Sequence, residues 1–118
     1  MSYDIYLRDT DGNGVQLPEP HQLKGGTYAM GGTREAWLNV TYNYSPYFRE
    51  RIDAEKGIRW LYGKKAADTI PTLEKAIAAL GTETADDYWA QTPGNAGAAL
   101  ANLLELARLC PDAIWAGD

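Results

Sequence analysis

Asp9, Asp11, Asn13 and Gly14, in RDTDGNGVQL, have the D-x-D-x-N-G spacing that opens a calcium-binding loop. Oxygen donors at alternate positions, with a glycine for the sharp turn, suit a hard cation. The rest of such a loop is missing. It needs a bidentate glutamate at its twelfth position, which counts to Pro20, and Glu19 falls one place short. A helix should precede the loop, whereas YDIYL reads as a strand. The same letters make a good hairpin turn, because Asp and Asn bond their own backbone and Gly takes left-handed conformations. The expectation is a turn, with no metal and no cofactor.

A second grouping is electrostatic. Arg49, Arg51, Lys56, Arg59, Lys64 and Lys65 are six of the eleven basic residues and are opposed there only by Glu50, Asp53 and Glu55. This stretch therefore carries about +3 and the rest of the chain about -8. Tyr47, Phe48, Trp60 and Tyr62 are interleaved with it. Cations beside aromatic faces suit a phosphate with an attached base. Lys64 and Lys65 stand where a helix is expected to begin, so they meet the positive end of its dipole. A bound anion would reverse that penalty; two lysines pointing into water are the plainer explanation. No GxxxxGK[ST] phosphate loop occurs.

A third grouping lies on the apolar-polar alternation of AWLNVTYNY, residues 36–44. If Leu38, Val40 and Tyr42 face a core, then Trp37, Asn39, Thr41 and Asn43 face the other way. Amides beside aromatic rings resemble the polar fixtures of a ligand site. They equally suit a solvated sheet face, or amides that tie down the glycine-rich segment before this strand. His21, Tyr28 and Arg34, in the glycine-rich segment before this strand, could complete such a site.

Catalytic machinery is sparse. The one histidine, His21, and the one cysteine, Cys110, have no spacing that favours a dyad, and a zinc site would need added carboxylates. No G-x-S-x-G or H-E-x-x-H occurs. Asp86 and Asp87, beside Tyr88 and Trp89, could act as acids, but their segment reads as a solvated loop.

These residues must be positioned by a chain of 118 residues, the size of one domain with a core of its own. A net charge of -5 and a pI near 4.8 argue against general nucleic-acid binding. MSYDIYLRD is not a signal peptide, and no apolar run is long enough to span a bilayer. A cytoplasmic protein is expected, in which the sequons at Asn39 and Asn43 carry no glycan.

The pattern predicts a strand over 3–8, a turn at TDGNG, and a short returning strand at GVQL closed by Pro18 and Pro20. A loop follows, with an extended piece at TYAM, and then a strand over 36–44. Ser45 as cap and Pro46 as first residue predict a short helix ending near Gly57. Residues 64–80 read as a helix with Ile70, Leu73, Ala76, Ile77 and Leu80 inward. Pro71 either kinks it or divides it behind a cap at Asp68 or Thr69. Asn95–Leu109 is a further helix, with Leu100, Leu103, Leu104 and Leu106 inward and Asn102, Glu105 and Arg108 outward. AIWAG gives a last strand. The fold class is α+β, a small antiparallel sheet of three to four strands with two or three helices packed on one face.

MSYDIYL, NVTYNYSPYF, IPTLEKAIAAL and the C-terminal PDAIW together resemble a group of short uncharacterised phage and prophage proteins. The likeness covers most of the chain and is most specific at TYNYSPYF, 41–48. The group has no established activity, so the resemblance implies context only: an accessory protein acting in a bacterial cytoplasm. The expected function is non-catalytic binding of a small anionic, nucleotide-like ligand or of a host bacterial protein. Its expected residues are Asn39, Thr41, Asn43, Tyr47, Arg49, Arg59, Trp60, Lys64 and Lys65. A homodimeric structural module and a small hydrolase are the alternatives.

Overall fold

The computed structural model describes residues 1–27 and 32–118. The first strand, β1 (Ser2–Arg8), is central to an antiparallel sheet of order β4-β1-β5, formed with β4 (Trp37–Thr41) and β5 (Ile114–Gly117). Tyr3 lies opposite Val40 and Tyr6 opposite Trp37, while Leu7 lies opposite Trp115. Strict alternation buries Tyr3, Ile5 and Leu7 and leaves Asp4, Tyr6 and Arg8 exposed. The outer edges of this sheet are covered. The Thr41 N–H donates to Gly25 O beside β4, and residues 63–64 exchange backbone bonds with Trp115 of β5.

The segment after the turn does not end at its prolines. Strand β2 (Gln16–His21) runs through Pro18 and Pro20 and pairs with β3 (Thr33–Glu35) as a separate two-stranded sheet. Pairing is made at Gln16–Glu35 and His21–Thr33, with a register shift between them. Both prolines therefore fall where the ladder is interrupted, the place a residue without an N–H can occupy. The extended piece expected at TYAM begins at Thr27 and otherwise lies outside the described residues.

Strand β4 is shorter than the alternation suggests. The Thr41 hydroxyl accepts the Asn43 N–H at 3.2 Å, and Tyr42–Tyr44 form a 3-10 turn. Helix α1 (Ser45–Arg51) follows at once, with Ser45 as its first residue rather than its cap. Ser45 Oγ is bonded instead to Tyr3 OH, 2.5 Å away. The helix stops well before Gly57. Asp53 Oδ1 accepts from the N–H groups of Glu55 and Lys56, which turns the chain into a 3-10 segment, Gly57–Leu61.

Helix α2 (Ala66–Leu80) is continuous through the exposed Pro71, so no second cap is needed. Helix α3 (Pro93–Leu109) starts two residues earlier than expected, because Thr92 is its cap and Pro93 its first residue. The two helices run antiparallel. The C-terminal end of α2 meets the N-terminal turns of α3, where Gly94 and Gly97 let the backbone of residues 81–83 cross closely. No helix among the described residues is long and apolar enough to cross a membrane.

The helices and the inner sheet face share one core, in which Trp115 is 0% exposed. Its indole N–H donates to Thr69 Oγ1 at 2.9 Å, joining β5 to α2 across 46 residues. Trp115→Ala is expected to cost about 3–5 kcal/mol, from lost burial and the cavity left behind. Trp115→Phe should cost roughly 1–2 kcal/mol, since Thr69 keeps its bond to Ala66 O. Urea midpoints of the two variants check both values.

Candidate functional site

The DTDGNG segment is a turn. Asp9 Oδ1 accepts from the N–H groups of Asp11 and Asn13 at 2.9 and 3.0 Å, and Gly12 takes φ 87°. That carboxylate already holds its own backbone. No group of three His, Cys, Asp or Glu among the described residues is placed to hold a metal ion.

Four of the six cations of the basic stretch, Arg51, Arg59, Lys64 and Lys65, have partners within the chain. The Arg59 guanidinium lies 4.9 Å from the Tyr3 ring, and its Nε donates to Asp118 O. Lys64 Nζ sits 4.2 Å from the Trp60 ring and donates to Trp60 O at 2.6 Å. Lys65 is 3.4 Å from Asp112, and Arg51 is 3.3 Å from Glu50. Arg49 stands exposed on α1. The first N–H groups of α2, the expected anion seat, donate to backbone carbonyls: Ala66 to Ala113 O and Ala67 to Pro111 O.

The polar line of β4 divides between two surfaces. Asn39 donates to Asp4 Oδ1 at 2.7 Å on the outer sheet face, beside Trp37, whose Nε1 reaches the same oxygen at 3.3 Å. Thr41 is buried as the cap of the 3-10 turn. Asn43 is on that turn, not on the strand, and its Nδ2 donates to Trp89 O at 2.8 Å. Of the glycine-rich segment, His21 places Nε2 2.7 Å from Glu35 O and accepts the Leu23 N–H on Nδ1, so its donor is Nε2–H. Arg34 Nε donates to Leu17 O. Tyr28 lies outside the described residues. Cys110, half-buried at the end of α3, has its thiol pushed up by burial.

What the structure does bring together is different. Tyr3, Tyr42, Tyr62 and Arg59 cluster at one end of the sheet, with Tyr3 and Tyr42 edge to face at 4.5 Å. The Tyr62 hydroxyl is buried there without a hydrogen-bond partner among the described residues. Burial, and next the Asp118 carboxylate, push its ionisation well above the ordinary tyrosine range.

A second assembly lies at the loop joining α2 to α3. Asn95, 3% exposed, receives the Ala85 N–H on Oδ1 and donates from Nδ2 to Asp87 O and Ala90 O, each at 3.0 Å. From the other side, the Tyr44 hydroxyl donates to Tyr88 O, Asn43 to Trp89 O and Tyr47 to Gln91 O. Desolvation raises the Tyr44 phenol, which therefore stays a donor. At the tip of this clamped loop, Tyr88 and Trp89 stack edge to face at 4.8 Å. They remain 45% and 51% exposed. A cavity of about 200 Å³ lies under the tip, lined in part by Lys24, Tyr44, Thr84, Tyr88 and Asn102.

This segment reads in sequence as a solvated loop. Asn43 and Tyr47, expected as ligand-binding residues, here donate to the loop carbonyls of Trp89 and Gln91. The one available signal was the pairing of two large aromatics with no apolar period around them. No protein-family model matches the chain, and no curated protein or solved structure matches it either.

Proposed function

We propose that the protein works by stoichiometric, non-catalytic binding of another protein, with the Tyr88–Trp89 tip as its anchor. The observation that supports this reading is an exposed aromatic pair on a loop whose backbone is held by six side-chain bonds over residues 85–91, two of them to the pair itself. Aromatic anchors carry a disproportionate share of interface energy, and a loop ordered in advance loses little entropy on binding. Glu83, Asp86 and Asp87 rim the tip and make no ion pair among the described residues. Such a rim would speed encounter with a basic partner and make it salt-sensitive. The resemblance to phage-type proteins directs the search to a bacterial host protein.

The anionic-ligand reading has less support. Arg59, Lys64 and Lys65 have partners within the chain. The cavity under the tip, at about 200 Å³, is below the roughly 300 Å³ at which small-molecule pockets begin.

Trp89→Ala tests the proposal. The variant should lose its partner's affinity by thirtyfold or more, corresponding to at least about 2 kcal/mol. Its melting temperature should stay within about 2 °C of the parent, because the removed ring is largely in solvent. Capture from bacterial lysate on immobilised parent and variant, compared by quantitative mass spectrometry, gives the readout. Identical retained sets would refute the anchor.

A further inference from the structure

The turn that failed as a metal loop holds two groups able to react with each other. Asn13-Gly14 is the chain's one Asn-Gly dipeptide. A bond between Asn13 Cγ and the Gly14 nitrogen closes a five-membered ring within the chain, and such proximity replaces an encounter between two molecules.

Both groups are open. Asn13 and Gly14 are exposed. The Asn13 backbone is engaged, its N–H by Asp9 Oδ1 at 3.0 Å and its carbonyl by the Asp9 N–H at 2.8 Å. Its side-chain amide makes no hydrogen bond among the described residues. Neither does the Gly14 N–H. Around the Arg8–Gly14 bridge, the bonds run from Asp9 N–H to Asn13 O and from Val15 N–H to Leu7 O. That is the non-hydrogen-bonded pair of an antiparallel ladder, in which the N–H of the paired residue points away from its partner. No atom lies within 4 Å of where a Gly14 Cβ would stand.

The other asparagines lack this combination. Asn39, Asn43, Asn95 and Asn102 each donate from Nδ2 to an acceptor in the fold. Each also precedes a residue with a side chain: Val40, Tyr44, Ala96 and Leu103.

We infer that Asn13 is a modification site, which deamidates without an enzyme through a cyclic imide. The Gly14 N–H gives its proton to hydroxide, its nitrogen bonds to Asn13 Cγ, and the Cγ–Nδ2 bond breaks. The leaving nitrogen takes a proton from water and departs as ammonia. A water molecule then opens the imide at one of its two carbonyls. Opening at Cγ leaves an aspartate at position 13. Opening at the main-chain carbonyl leaves isoaspartate, whose chain runs through Cγ and is one carbon longer. Either product adds a negative charge beside Asp9 and Asp11 to a chain already at -5. The isoaspartyl form also lengthens the chain just before Val15, whose N–H and carbonyl tie the turn to Leu7 and Ala36. It therefore disturbs the link between β1 and β2.

The test incubates the whole chain at mildly alkaline pH and follows it with time. Trypsin releases residues 9–24, in which Asn13 is the one asparagine. This peptide should gain about 1 Da and separate into aspartyl and isoaspartyl products. The rate should rise with pH, because the attacking nitrogen must lose its proton. Gly14→Ala has room for its methyl group, and Gly14 does not take positive φ, so the variant keeps the turn. Its added carbon crowds ring closure, and conversion should slow at least about tenfold. No product from the folded chain, whether or not urea releases the reaction, would overturn the inference. Equal rates in parent and Gly14→Ala, or a purely aspartyl product, would mean direct hydrolysis and overturn it too. None of these outcomes depends on Trp89, so the loop-tip anchor stands or falls separately by lysate capture.

Discussion

Asn95→Ala should lower the unfolding free energy by about 3 kcal/mol and release the Tyr88–Trp89 tip from its fixed position. The side chain is buried and serves three backbone groups: the Ala85 N–H and the carbonyls of Asp87 and Ala90. Alanine removes all three bonds at once. Each group left without a partner costs roughly 1–3 kcal/mol when buried and less where water can enter. The carbonyls lie near the surface, so the lower part of that range applies to them. Asn95→Asp should recover only the bond from Ala85, because a carboxylate cannot donate to two carbonyls. Urea denaturation gives the stability change. Hydrogen exchange over residues 85–90 gives the local one, and should rise well beyond the global effect. Partner affinity should fall too, though Asn95 is buried away from any partner, because the tip would have to be ordered at the moment of binding. Unchanged exchange in the loop would show that Tyr44, Asn43 and Tyr47 suffice to hold it.

Gly97→Ala should also destabilise, by about 2–3 kcal/mol, against the usual direction for a helix interior. Propensity alone predicts a gain of roughly 1 kcal/mol from this change. At Gly97 a Cβ would overlap the carbonyl oxygen of Gly81, and at Gly94 that of Glu83. Those obstacles are backbone atoms, which cannot rotate aside, so α3 must move away from the end of α2. Thermal melts of Gly97→Ala and Gly94→Ala decide the sign. A stabilised Gly97→Ala would mean that the crossing of residues 81–83 over α3 is looser than the geometry indicates.

The same helices show what a single sequence carries. The inward rows of α2 and α3, the alternation of β1 and the terminal AIWAG strand were all legible, because each is a local period imposed by one apolar neighbour surface. Pro71 left two readings open, and the continuous helix follows from its exposed position and from caps supplied elsewhere. Those caps, the Pro111 and Ala113 carbonyls, lie more than forty residues downstream. No local rule could assign them. The basic stretch shows the same limit. Its charge asymmetry was correctly counted, but Asp118 and Asp112, which engage Arg59 and Lys65, come from the far end of the chain. Asn43 was singled out as an amide that either binds a ligand or ties down the glycine-rich segment. The loop it holds is residue 89's, 46 positions away. No local rule could pair Asn43 with that loop.

The unequal burial of the tryptophans has an optical consequence. Trp115 is 0% exposed and bonded to Thr69, while Trp89 is 51% exposed on the loop tip. Their emission should differ in colour and in access to a soluble quencher. A blue, protected component follows the integrity of the core; a red, quenchable one carries Trp89 together with the half-buried Trp37 and Trp60, and its difference from the Trp89→Ala spectrum follows what touches the tip. The parent and Trp89→Ala chains together therefore report folding and binding on separate channels. A partner that shields the red component while leaving the blue one unmoved has docked without disturbing the fold.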